Sequence, residues 1–224
     1  MKNSNLIAYL FFISSFLYAQ TFEVGRGSEY TLNFQDKINS RVSIYIASSS
    51  FSKLGIEYSF TVPGSLIPAQ TWQQYHFSIL DKGPLAIDKG FIQGHDMDYP
   101  EILTAEYFNV NDGVKVNDFL FSKQSEIDAS LVGNERIEVP AGVSNTTHYR
   151  KSRGGQVVDF WISENTKPIA LVKLISKNPK NPNQNYTMEL ISLLKGVKAK
   201  IEPKKAKSLS SKGKAYLAKP LKNP

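Results

Sequence analysis

The sequence has no cysteine among its 224 residues. This absence excludes a disulfide framework, a thiolate metal site and a lipid attached to a cysteine near the N-terminus. Glycine (14) and proline (11) are too few for a collagen-like chain, and 41% hydrophobic residues are too many for a chain disordered throughout. What is left is one globular domain, large enough to bury a core without disulfides.

Catalytic motifs are also missing. The chain has no G-x-S-x-G nucleophile elbow, and Gly25-Arg26-Gly27 lacks the third glycine and the following helix of a nucleotide-binding loop. His95 and the acids Asp96 and Asp98 could ligate a metal ion, but a polar loop between strands explains them more simply. We therefore predict no cofactor, no metal and no catalytic residue, and keep a hydrolase or metal-dependent enzyme as the weakest alternative.

The N-terminus has the pattern of a secretory signal peptide. Lys2 precedes an apolar run over residues 6–19, which is shorter than the roughly 20 residues of a membrane-spanning helix. We predict that residues 1–19 are cleaved after Ala19 on export, with a retained anchor as the alternative. The predicted location is the periplasm, and the extracellular space is the second choice.

The net charge of +7 is unevenly distributed along the chain. Residues 195–224 contain ten lysines and one acid and carry +9, whereas residues 20–194 carry −3. We predict a domain over residues 20–196 and a disordered lysine-rich tail over 197–224, because the tail has few apolar residues to offset its ordering entropy. The tail is predicted either to be a solvated end or to bind an anionic surface through Lys204, Lys205, Lys207, Lys212 and Lys214. No nucleic-acid partner is expected, and deletion after Gly196 should leave the unfolding midpoint nearly unchanged.

Apolar residues alternate with polar ones along most of the body, a period of two that is typical of half-buried strands. The clearest alternating sets are Tyr30, Leu32 and Phe34; Val42, Ile44 and Ile46; Ile56, Tyr58, Phe60 and Val62; Tyr75, Phe77 and Ile79; Val158, Phe160 and Ile162; Tyr186, Met188 and Leu190. Hairpin turns separate them, among which Asp112-Gly113 has the strongest turn signal.

Residues 99–108 and 122–131 are predicted to be short helices or irregular crossings. Ten to twelve strands in one chain favour a mainly β fold with a strongly curved antiparallel sheet or half-barrel, one or two short helices and a disordered basic tail. Aromatic residues that face into such a sheet either fill a core or line a cavity for an acyl chain. The groove candidates are Tyr75, Phe77, Phe160 and Trp161.

Several segments of the C-terminal half have a recognisable order. IEVPAGV over residues 137–143 leads to Thr147-His148-Tyr149-Arg150, followed by VDFWIS over 158–163, Lys167-Pro168-Ile169 and Glu189-Leu190. This order resembles uncharacterised exported bacterial β-proteins related in fold to the LolA/LolB lipoprotein carriers. The resemblance implies a periplasmic half-barrel, a bent antiparallel sheet around a hydrophobic groove, and no known reaction. The absent lipidation cysteine and the long basic tail depart from that pattern.

We therefore predict an exported, non-enzymatic envelope protein that binds a hydrophobic or lipid-like ligand in a sheet groove, while its tail attaches to an anionic surface. The alternative from another class is a structural or assembly protein that binds another envelope protein through an exposed edge strand.

Overall fold

The computed structural model describes residues 22–34, 38–62, 69–78, 86–104, 130–153, 155–180, 182 and 185–218. The predicted signal peptide and the Asp112-Gly113 hairpin lie outside these residues. Within them, no helix is long and apolar enough to cross a bilayer.

Twelve strands, one α-helix and a short 3-10 helix (Pro203–Lys205) form the described structure, which confirms the mainly β prediction. The elements are β1 (Gly27–Phe34), β2 (Ile38–Ser49), β3 (Lys53–Val62), β4 (Ala69–Ser78), β5 (Ala86–Gly94), β6 (Glu101–Leu103), β7 (Leu131–Val139), β8 (Gly142–Arg153), β9 (Gln156–Ile162), β10 (Leu171–Lys177), β11 (Tyr186–Leu194), β12 (Lys207–Ser208) and α1 (Ser211–Ala218).

All twelve strands belong to one sheet, in the order β12-β6-β5-β4-β3-β2-β1-β11-β10-β9-β8-β7. Neighbours are antiparallel except β12, which runs parallel to β6. The chain forms two antiparallel meanders, and the pairing of β1 with β11 joins them into one sheet. Residues 101–103, predicted as part of a helix or crossing, are a strand that pairs with β5.

The alternating apolar residues share one face of this sheet and form the core. Tyr30, Val42, Ile44, Ile56, Phe77, Val158, Phe160, Leu174, Met188 and Leu190 are buried in a single cluster that draws on strands from both meanders. Because side chains in a strand point alternately to opposite faces, the intervening polar residues lie on the convex face.

The sheet curves strongly enough to bring its β7 edge back toward its middle. The turn between β7 and β8 contains Pro140 and Ala141, and the Ala141 N–H donates to the carbonyl of Leu190 in β11 (3.0 Å). Gly142 has φ +112°, a conformation that favours glycine, so the V-P-A-G segment forms a turn as its sequence indicates. We therefore confirm the prediction of a strongly curved antiparallel sheet.

The prediction of a disordered tail is wrong for residues 197–218, which we call the C-terminal strap. The strap crosses the convex face near Glu57, and Ile201 is only 2% exposed there. It then adds β12 to the sheet edge and continues into α1. Local composition did not predict this ordered structure, because the strap is held by partners more than 100 residues away in sequence.

The end of the strap packs against the strand β5 and the strand β6. The Ser210 N–H and hydroxyl donate to the Glu101 carboxylate, each at 2.7 Å. The Tyr216 ring occupies the space where a side chain at Gly94 would lie. Gly94 pairs with Thr71, which lies on the same face of β4 as Tyr75, so Gly94 faces the core side of the sheet. The strap therefore passes from the convex face around the β6 edge to the core side.

Candidate functional site

Three of the four predicted groove residues lie on the core side of the sheet. Phe77 and Phe160 are 3% and 2% exposed and are members of the core cluster, so they contribute to stability and are not accessible to a ligand. Tyr75 is half-buried and packs against the cluster. Of the predicted groove residues, only Tyr75 is therefore both on this face and partly accessible.

Tyr75 brings a polar group to an otherwise apolar surface. Its ring packs edge-on against Tyr58, with the ring centroids 5.9 Å apart. Its hydroxyl donates to Oε1 of Gln73, two residues earlier on the same face (2.9 Å). Burial raises the pKa of Tyr75 to about 12, and its single O–H proton is used in the hydrogen bond to Gln73.

Other half-buried apolar side chains surround the fully buried centre of the core. Phe34 packs against Tyr186 with ring centroids 5.7 Å apart, at the end of the β1–β11 pair. The half-buried residues that pack directly on the core cluster are Phe22, Leu32, Phe60, Tyr75, Ile87, Ile137, Tyr149, Ile162 and Tyr186. This set, rather than Phe77 or Phe160, is the part of the concave face that can contact a ligand.

Trp161 does not belong to the groove, which corrects its prediction as a groove residue. It lies on the convex face because it follows Phe160 directly in β9, and it pairs with His148 of β8. The indole stacks on the His148 ring at 4.4 Å between centroids and 14° between planes. Its Nε1–H donates to the Glu135 carboxylate (3.1 Å).

His148 is the centre of a polar cluster that spans three strands. Its Nδ1 lies 2.6 Å from Oε1 of Glu135 in β7, and its Nε2 lies 2.7 Å from Oδ1 of Asp159 in β9. Arg150 donates to the same Asp159 oxygen (2.7 Å). Each ring nitrogen thus lies against a carboxylate of a neighbouring strand. The arrangement cross-links β7, β8 and β9.

Spacing in the sequence could not reveal this cluster, because its members come from three strands. Alternation does place Asp159 and Trp161 on one face, opposite Phe160. Only the pairing of β8 with β9 and of β7 with β8 brings His148 between two carboxylates.

We expect the cluster to give the β7 edge a pH-dependent stability. The pKa of Glu135 is lowered first by the Trp161 indole N–H and then by His148. A lowered pKa means that Glu135 stabilises the fold above its unfolded pKa, about 4.3, and that this contribution is lost as pH falls through the folded pKa. The unfolding midpoint of Glu135→Gln should therefore lie below that of the wild type at pH 7 and converge with it in acid.

Thermal unfolding between about pH 2 and pH 7 measures this convergence. Glu138→Gln, on the same strand and also exposed, is the matched control and should follow the wild type at every pH. If the difference in unfolding midpoint between Glu135→Gln and the wild type were the same at every pH, the Glu135 carboxylate would not cause the pH-dependent stability.

Residues of the strap contact the loop that contains His95 and Asp96. The Tyr216 hydroxyl donates to Oδ1 of Asp96 and lies 3.2 Å from Nδ1 of His95. Lys212 forms an ion pair with Asp96 (3.1 Å). Within the described part of the chain, no three His, Cys, Asp or Glu residues are grouped to hold a metal ion.

The five lysines predicted to bind a surface differ in their surroundings. Lys212 pairs with Asp96, Lys205 pairs with Glu202 (2.9 Å), and the Lys207 ammonium lies 3.8 Å from the centroid of the Tyr99 ring. Lys204 and Lys214 are exposed and form no ion pair within the described residues. These two have the greatest freedom to contact an anionic surface.

The strap is held by a buried carboxylate that sequence patterns did not identify. Glu57 is 0% exposed on the convex face of β3. Its Oε1 accepts the Tyr45 hydroxyl and the Lys200 N–H (2.8 Å), and its Oε2 accepts the Gln74 side-chain amide (2.8 Å) and the Ile201 N–H (3.0 Å). Four donors satisfy the charge, so the carboxylate fixes the strap through its backbone.

Comparisons with known proteins find distant structural matches but no family. No protein-family model matches the chain, and no curated protein is significantly similar to it. A hypothetical protein from Chlamydia trachomatis aligns with 80% of this chain and 91% of its own, with a TM-score of 0.44 and 11% identity. A "putative lipoprotein" from Parabacteroides distasonis aligns with 86% of this chain and 100% of its own, with a TM-score of 0.38 and 12% identity. Similarity at this level carries no argument about function, and the relation to the LolA/LolB carriers stays a prediction.

Proposed function

We propose that this protein is an exported, non-enzymatic envelope protein that holds a hydrophobic or lipid-like ligand on the concave face of its sheet. The observation that supports this proposal most directly is the set of half-buried apolar residues, including Phe60, Tyr75 and Tyr186, that packs around the buried core. Lipid-binding surfaces are mostly apolar with a few polar groups, and the Tyr75–Gln73 pair supplies such a group.

Native mass spectrometry of protein purified from its own compartment, before and after organic extraction, tests the ligand. A mass excess that extraction removes is the expected result. A protein whose mass is unchanged by extraction, and which takes up no fluorescent acyl probe, would contradict the proposal.

Substitutions test whether the ligand binds on the concave face. Phe60→Ala should weaken uptake of the acyl probe several-fold, because it removes a half-buried ring that packs on the core. Val143→Ala is the control, since this side chain is 54% exposed and pairs with Glu138, on the face of β7 opposite the core residue Val139. Equal losses in both variants would show that uptake does not involve the concave face.

The second part of the proposal is attachment to an anionic surface through the strap lysines. Its support is the charge of +9 over residues 195–224 and the exposure of Lys204 and Lys214. Each basic residue near an anionic bilayer contributes about 1 kcal/mol. Lys204→Glu with Lys214→Glu should therefore reduce salt-sensitive binding to anionic vesicles.

Assembly through an edge strand is the second candidate. Across the described residues, no strand pairs with the outer edge of β7, where Leu131 and Val132 are 55% and 52% exposed. Charged residues at Glu135, Arg136 and Glu138 protect this edge against unspecific pairing, so a partner would need complementary charges. Recovery of one envelope protein crosslinked specifically to β7 would favour this candidate over a lipid carrier.

A further inference from the structure

Phe51 is the most exposed large hydrophobic residue in the described structure. It lies at the tip of the β2–β3 hairpin with 96% of its surface accessible. The turn beneath it is closed by the Ser50 N–H, which donates to the carbonyl of Lys53 (2.8 Å). Phe51 is therefore held outside the fold by an ordered turn, in a place where the ring adds nothing to the core.

Two further exposed apolar residues lie at this same end of the sheet. Val24 is 53% exposed and precedes Gly25, whose N–H donates to the carbonyl of Ile46 near the end of β2 (2.8 Å). Leu193 is 54% exposed at the end of β11, beside the start of β1. We call Val24, Phe51 and Leu193, with the turns that bear them, the hairpin end.

Lysines surround these apolar residues. Lys53 directly follows the tip of the hairpin, and Lys195 and Lys198 flank Val197, whose N–H donates to the carbonyl of Gly25 (3.1 Å). All three are exposed and form no ion pair within the described part of the chain. Glu23, the acid next to Val24 in the sequence, is paired with Arg26 (2.6 Å). The hairpin end is therefore a positively charged surface with a protruding aromatic ring.

Positive charge also lies around His76 in the neighbouring strand β4. Burial lowers the pKa of His76 first, and the charges of Lys53 and Lys89 lower it further, against a smaller opposite effect of Asp88. These groups lie on β3 and β5, on either side of His76 in β4. Basic charge thus extends across neighbouring strands at this end.

We infer that the hairpin end docks on an anionic lipid bilayer, with Phe51 inserted among the headgroups and the lysines against lipid phosphates. An isolated ring on a protruding turn suits the headgroup region, where no shaped pocket is needed, whereas a stable protein interface needs about 800 Å² of complementary surface from each partner. This inference extends the envelope role in the proposed function to a second surface, and different residues test the two.

Flotation with vesicles of phosphatidylglycerol and phosphatidylcholine, compared with phosphatidylcholine alone, tests the inference. The purified protein should bind only the anionic vesicles, and Phe51→Ser should weaken that binding about tenfold. Lys53→Glu should weaken it about fivefold or more. Phe51→Trp should preserve binding, and its fluorescence should be quenched by brominated lipid.

Controls separate this surface from the other proposed sites. Because Phe51 is exposed, Phe51→Ser should keep the wild-type unfolding midpoint and the wild-type ligand mass. If Lys204→Glu with Lys214→Glu abolishes binding while Phe51→Ser leaves it intact, the strap is the membrane contact and this inference is wrong. Absence of wild-type binding to anionic vesicles, or equal binding to neutral ones, would also overturn it.

Discussion

Truncation of the chain after Gly196 is expected to lower the free energy of unfolding by about 4 kcal/mol. The strap buries Ile201, whose apolar side chain contributes about 2 to 3 kcal/mol when fully removed from water. Truncation also removes two of the four donors to the buried carboxylate of Glu57, each worth about 1.5 to 3 kcal/mol. The entropy that the strap loses on docking offsets part of this gain.

For a domain of this size the expected loss corresponds to a fall of roughly 10 °C in the unfolding midpoint. The matched control is truncation after Ala218, which keeps the strap and should leave the midpoint within about 1 °C of the full chain. This result would replace the expectation from composition that removal of the tail has almost no effect. An unchanged midpoint after truncation at Gly196 would mean that the strap does not contribute to stability in solution.

Replacement of Glu57 by alanine is expected to destabilise the protein by about 3 to 5 kcal/mol. The substitution leaves the Tyr45 hydroxyl, the Gln74 amide and two strap N–H groups without their acceptor in a site closed to water. Glu57→Gln keeps the shape but presents an NH₂ group where an oxygen accepted two donors. Its cost should therefore be about half that of alanine.

Urea unfolding measures these losses, and limited trypsin digestion reports whether the strap has detached. Cleavage after Lys200 should accelerate in Glu57→Ala, because the N–H of Lys200 is no longer bound. Glu202→Gln is the matched control: Glu202 is on the strap but exposed, its ion pair with Lys205 is at the surface, and its loss should cost less than about 1 kcal/mol. If Glu57→Gln and Glu202→Gln had equal effects, Glu57 would not hold the strap.

The two changes should be non-additive because they remove the same hydrogen bonds. In protein truncated after Gly196, Glu57 has lost its bonds to the N–H groups of residues 200 and 201. Glu57→Ala should therefore cost less in that protein than in the full chain. Full additivity would show that the strap and the carboxylate act independently.

Much of the fold could be predicted from the sequence because its signal is local. A period of two places Val42, Ile44 and Ile46 on one side of a strand without any knowledge of the partner strand. The V-P-A-G turn needs only Pro140 and the positive φ of Gly142. Strand content and antiparallel hairpins therefore followed from short-range patterns, and the number of strands favoured a curved sheet.

The candidate site was predicted less well, for reasons of geometry. Alternation identified aromatic residues on strands but did not show how deeply each one is buried. Phe77 and Phe160 therefore proved to be core residues and Trp161 a residue of the convex face, whereas Phe60 and Tyr186 were left out of the predicted groove. How deeply a side chain is buried depends on how the strands curve around it.

The sequence by itself determined the composition of the chain, the alternation that makes strands and the separation of charge between body and tail. Tertiary structure decided the path of the tail. Composition alone predicted disorder, because the strap has few apolar residues to offset the entropy lost when it becomes ordered. The folded sheet supplies Glu57, more than 140 residues away in sequence, as the acceptor for its backbone. Such a partner cannot be identified from spacing along the chain, because only the pairing of β2, β3 and β4 closes the site in which the carboxylate is buried.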